Sequence, residues 1–230
     1  MNKLIKWFIG LLLLPLTAAI SLTFAKQLQA DLDIHQLDLT TWWFIGGFVI
    51  WLILYFLLPR PMWTYVLGHE CTHALWGLLM GAKVSRLKVG QQGGSVTLTK
   101  SNVLITLAPY FFPFYTVLTL AAYLLASLWI DMSLYRPFWY AVFGLTWAFH
   151  LTFTLSILAI RQPDIHEHGR LFSYVLIYII NLATAAALMN LLTDRPIAAL
   201  GTEMWADTVT VYRATWDAAQ PFIGQIKATW

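Results

Sequence analysis

Charge is the scarcest property of this 230-residue chain: Lys and Arg number 14, Asp and Glu 11, together 11% of the residues. Soluble domains carry roughly 25%, so an ordinary water-exposed globular protein is excluded. The net charge of +3 is spread over short polar stretches without a basic cluster, which gives a nucleic-acid partner no footing. Cysteine is nearly absent too, and Cys71 alone excludes an internal disulfide framework. It is read as a small packing residue. No internal repeat and no separate soluble domain is recognisable, so recognition of anything else is expected to rest on short loops or on a membrane partner.

What the chain has in abundance is apolar sequence, 59% of its residues. Runs at about 4–25, 41–58, 62–81, 103–130, 137–160 and 171–192 each approach the ~20 residues that cross a bilayer as a helix. The expectation is an all-α polytopic membrane protein of about six membrane helices, the first, after Lys3 and Lys6, retained as an anchor. Lys and Arg totals on alternate loops are nearly equal and orient the chain poorly. A multi-pass location in a bacterial cytoplasmic (inner) membrane, with the N-terminus cytoplasmic, is expected. Twelve Trp, ten Tyr and fourteen Phe fit interfacial belts, as in "TWWF" at 41–44 and "RPFWY" at 136–140. Residues 1–192 are read as one membrane-embedded domain. Residues 193–230 are read as a tail in which "MWADTVTVYRATW" (204–216) forms an interfacial amphipathic helix.

Between the runs, "KQLQADLDIHQLDLT" at 26–40 reads as a solvated polar loop, His35 included, and "RQPDIHEHGR" at 161–170 as another. Pro59 and Pro61 end one helix before Met62 starts the next. The prolines of "LAPYFFPFY" (107–115) should kink their run. "KVSRLKVGQQGGSVTLTK" at 83–100 alternates polar and apolar residues about a Gly-rich turn, which predicts a β-hairpin directly after the third run. A strand edge is not tolerated against lipid, so that hairpin belongs at an interface or in a cavity.

Tyrosines aside, the ionisable side chains of the apolar runs are Lys6, His69, Glu70, Cys71, His73 and His150. Buried in a membrane such groups are functional candidates, because each is costly unless paired or hydrated. Three of them make HECTH at 69–73. On a helix His69 and His73 share a face and can bind one metal ion, while Glu70, about 100° round, reaches a metal-held water. That is the HExxH pattern of zinc hydrolases, and it predicts peptide-bond hydrolysis with Glu70 as general base. Random placement of this chain's His and Glu gives the pattern in about one chain in five hundred. Gly77 and Gly81 are read as small residues that admit a neighbouring helix.

The longer string "HECTHALWGLLMGAKVSRLKVG" (69–90) resembles the site-2 protease family of intramembrane zinc metalloproteases. That family shows HExxH, a small and an apolar residue (here Ala74 and Leu75), a later Gly (Gly81), and a Val-rich strand opening a hairpin (Val84, Leu87, Val89). The resemblance implies Zn2+ held by His69 and His73, Glu70 as the catalytic base, and a third ligand that is an Asp two membrane segments later. The matching position is Asp164 in "QPDIHEHGR", although the family's Asp-Gly pair is absent here. His150 remains open as that ligand, and so does Glu203, whose "EMWAD" (203–207) is similar to the ExxAD segment of a second class of membrane zincins. The implied substrate is a membrane-spanning or membrane-adjacent segment of another protein, which must unwind before attack, and the hairpin offers an edge to pair it. A regulatory membrane partner is a further expectation. Two other readings stay open: a scaffold that no longer cleaves, and a metal carrier working through His69, His73, His150 and the 164–168 cluster.

Overall fold

The computed structural model describes residues 2–31, 37–193 and 195–228. In chain order they form α1 (Lys3–Leu12), α2 (Leu14–Asp31), α3 (Leu39–Leu57), α4 (Met62–Leu79), β1 (Val84–Gly90), β2 (Gly93–Leu98), α5 (Val103–Phe111), α6 (Phe114–Ala126), α7 (Arg136–Leu158), α8 (Pro163–His168), α9 (Arg170–Leu192) and α10 (Ile197–Ala228). The chain groups into two compact units, one of Leu37–Glu167 and one of Met1–Gln36 with His168–Trp230.

Among the described residues, four stretches are long and apolar enough to cross a membrane: Lys3–Ala30, Leu39–Leu57, Arg136–Leu158 and Arg170–Asn190. Helices α5 and α6 make a fifth if taken as one span, but they meet at a bend of 78°. Pro113, without an amide hydrogen to donate, stands where α6 begins. By length and composition the described residues thus give four or five candidate spans, and the six expected are not reached. The run at 62–81 is the one that drops out, because Gly68, His69, Glu70, Thr72 and His73 interrupt its apolar surface.

In the unit 37–167, α3 packs along α7. A Cβ on Gly47 would overlap the carbonyl of Ala141, and one on Gly144 the carbonyl of Phe44, so both glycines are required for the close approach. Below that crossing Trp51 and Tyr55 bury themselves against Ala148, Phe149 and Phe153. Helix α4 ends as a Schellman motif: Gly81 takes φ +72, its N–H reaches Leu78 O at 2.9 Å and that of Ala82 reaches Gly77 O at 2.8 Å. Gly81 is thus a helix stop rather than a helix-packing residue. Gly77 faces the hairpin instead of another helix, with Leu98 Cδ2 3.0 Å from where its Cβ would be.

The hairpin expected over 83–100 is present as an antiparallel pair, with Leu87 opposite Val96 and Gly90 opposite Gly93, and a register shift between Val84 and Leu87. Gly93 takes φ +139 at the turn, a value that glycine adopts without strain. Both strands lie on α4.

The other unit brings α2 against α9 and α10. Residues 26–31, expected in a solvated loop, continue α2, and Gln27 is 1% exposed. His35 and Asp33 lie outside the described residues. Asp38 caps α3 by accepting from Thr41 N at 2.8 Å. The segment 204–216 is the middle of α10, which runs for 32 residues.

Candidate metal centre

Helix α4 presents His69 and His73 one turn apart, and their Nε2 atoms approach to 3.2 Å. The loop expected at 161–170 is helical at its centre: Pro163 opens α8 and Asp164 stands in its first turn. Asp164 Oδ2 lies 3.6 Å from His69 Nε2 and 3.6 Å from His73 Nε2. A tetrahedral ion with bonds of 2.0–2.1 Å requires donor–donor edges of roughly 3.3–3.4 Å. The three observed separations bracket that value, so two imidazoles and a carboxylate fit a divalent cation between them. Among the described residues this is the one group of three His, Cys, Asp or Glu side chains close enough to share an ion.

Each of these three side chains is held from behind. His73 Nδ1 lies 2.8 Å from the carbonyl oxygen of Ile105, an atom that can only accept, so the ring proton sits on Nδ1. The lone pair of a neutral His73 is then on Nε2, pointing at His69 Nε2, and a cation is a fitting occupant of that space. His69 Nδ1 lies 3.1 Å from Tyr65 Oη, and the Tyr65 ring is itself stacked on Phe153 with centroids 4.8 Å apart. Tyr110 donates its hydroxyl to Asp164 Oδ2 at 2.9 Å, and its ring stands edge-on to His69.

The group opens onto a cavity of about 640 Å³. Glu70 lines it beside the two histidines and Asp164, together with Gly93–Val96 of β2, Ile157 near the end of α7 and Ile160 just beyond it. Gly94 is pressed against Glu70: a Cβ there would come within 2.7 Å of Glu70 Cγ, of Val66 Cγ1 and of Lys88 O. The absence of a side chain at 94 lets the hairpin cover this face of α4 without displacing Glu70.

Neither of the other candidates for a third ligand belongs to this group. His150 is buried on α7 beside Trp147 and lines a separate small cavity that His69 reaches from its other side. Glu203 pairs with Arg195 at 3.3 Å. Tyr65, Tyr110, the Ile105 carbonyl and Gly94 were not singled out by the motif. Only Tyr65 had a readable signal, its spacing of one helical turn before His69.

Comparison with protein-family models, with curated proteins and with solved structures finds no match.

Proposed function

We propose that this chain is an intramembrane zinc metalloprotease, cutting peptide bonds in or near membrane-spanning segments of other proteins. The observation that carries the reading is the convergence of His69, His73 and Asp164, with Glu70 beside them, on one cavity walled by a strand. The likeness of residues 69–90 to site-2 proteases supports it. A bound zinc ion would supply Lewis acidity toward the scissile carbonyl and acidify a water molecule to a pKa near 7.

The protein's own groups do the rest. His69, His73 and Asp164 would hold the ion, their angles fixed by Tyr65, the Ile105 carbonyl and Tyr110. Glu70 accepts the proton of the attacking water and returns it to the leaving amine nitrogen. Strand β2 has β1 on one side only, and its residues line the cavity, so its second edge can pair an unwound substrate as an extended strand. Proline substitutions at Val96 and Leu98 test that edge, which is disproved if cleavage is unchanged.

Zinc per chain, measured by mass spectrometry on detergent-purified protein, tests the centre. About one zinc per wild-type chain and far less in Asp164→Ala is the expected result, and zinc absent from the wild type after supplementation refutes it. Cleavage of a pool of transmembrane peptides in liposomes completes the test. Glu70→Gln should keep the metal and lose turnover, whereas cleavage that survives this substitution refutes the assigned base.

A further inference from the structure

An α-helix occupies its own carbonyls: the oxygen of residue 105 ordinarily accepts from the N–H of residue 109. In α5 that residue is Pro109, which lies inside the helix and has no N–H. The Ile105 carbonyl therefore loses its helical partner in a residue that is only 1% exposed. A buried carbonyl left without a donor is costly. The donor it receives is His73 Nδ1, at 2.8 Å.

We propose that Pro109 is a positioning residue of the metal centre, which reserves the Ile105 carbonyl for His73 and thereby fixes the ring orientation and tautomer that present Nε2 to the ion. The inference rests on the metal reading given above. A proline in a helix is usually read as a kink, yet the 78° break lies after Phe111, at Pro113, and Pro109 stands within the continuous helix. The next residue, Tyr110, binds the other side of the centre through Asp164 Oδ2. One short stretch of α5 thus serves two of the three ligands. Ile105, Pro109 and Tyr110 lie on α5 with spacings of four residues and one, so its first turn meets His73 and its end meets Asp164.

The test is Pro109→Ala, which restores an amide hydrogen that competes for the Ile105 oxygen. Alanine favours a helix more than proline does, so the helix itself is not weakened. Zinc affinity, read by competition with a chelator, should fall about tenfold, the lower end of the 10- to 100-fold typical of an outer-shell partner. The absorption bands of the Co2+-substituted protein should shift, and thermal stability of the metal-free protein should hold. In 15N-histidine spectra of the metal-free protein, His73 should carry its proton on Nδ1 in the wild type and lose that preference in the variant. Pro113→Ala serves as the second variant, because it relaxes the bend without offering Ile105 a donor and should leave zinc affinity unchanged. Wild-type affinity in Pro109→Ala, or an equal loss in Pro113→Ala, overturns the inference. Wild-type protein that binds no zinc refutes the metal reading instead, and the His73 tautomer then still decides the role of Pro109: a proton on Nδ1 in both proteins overturns it.

Discussion

The two units both bury polar side chains among apolar helices, but they put them to opposite use. In Met1–Gln36 with His168–Trp230 the polar groups close on one another. Asp207 accepts from Thr23 at 2.8 Å and from Lys26 at 2.5 Å, Gln27 donates to Asn190 at 2.5 Å, and Lys6 donates to His168 at 2.6 Å. That is the hydrogen bonding by which membrane helices are held together. In Leu37–Glu167 Tyr65, the Ile105 carbonyl and Tyr110 hold His69, His73 and Asp164 from behind, and the two Nε2 atoms and Asp164 Oδ2 face a shared space. Matched pairs give cohesion, whereas acceptors facing acceptors give a place for a cation. The comparison teaches that a buried carboxylate is informative only together with what its oxygens face.

The sharpest way to break that comparison is to make one change in both units. Asp164→Asn should lower zinc affinity about 100-fold or more, beyond the loss of an outer-shell partner and worth about 2.7 kcal/mol. Asp207→Asn, equally an aspartate among helices, should leave zinc affinity unchanged and lower only thermal stability. Chelator competition and thermal unfolding on the two variants check this, and loss of zinc in Asp207→Asn would erase the distinction.

Filling the space rather than removing a ligand sharpens the same contrast. Gly94→Val places methyl groups where Glu70, Val66 and Lys88 already crowd the position, so the hairpin or Glu70 must move. Turnover should fall about tenfold or more, roughly 1.4 kcal/mol in barrier, with zinc retained. Metal analysis beside peptide cleavage separates the two effects.

The cluster at 69–73 was legible because both histidines lie on one helical face and their period is written in the sequence. The hairpin was legible for the same reason, its alternation being local. Asp164 could be named only through the family likeness, since nothing in "QPDIHEHGR" states that its first carboxylate points toward a helix some ninety residues earlier. Tyr110 and the Ile105 carbonyl were illegible, because the contacts behind a side chain are set by how α5 packs, and a backbone oxygen has no residue letter. The run at 62–81 was counted on apolar length alone, and its polar residues at 68–73 keep α4 out of the helices apolar enough to cross a membrane. The polar stretch at 26–31 misled in the opposite direction: it looks solvated, yet its Gln27 is buried against Asn190.

Asn190→Leu asks what the matched pairs contribute. It leaves the Gln27 amide hydrogen buried without its acceptor, so stability should drop by about 1 kcal/mol, a typical net figure for such a bond within a membrane protein. Zinc content should not change. A thermal shift near zero would mean that the amide finds another partner and that this unit is not held together by the Gln27–Asn190 bond.

The smallest effect expected is at the entrance to α3, where a carboxylate serves a helix end and no ligand. Burial would raise the pKa of Asp38, but side-chain hydrogen bonds from Thr40 and Thr41 and the Thr41 backbone N–H outweigh it and lower it below its ordinary 3.8. A depressed carboxyl stabilises the fold fully above 3.8, and that contribution fades as the pH falls through the lower folded value. Asp38→Ala should therefore cost about 0.5–1 kcal/mol at neutral pH, and the gap between variant and wild type should narrow toward pH 3. Thermal unfolding at the two pH values checks the sign. A gap that widened on acidification would show that the cap acts as a neutral acceptor, and that the charge of Asp38 is not what stabilises this helix end.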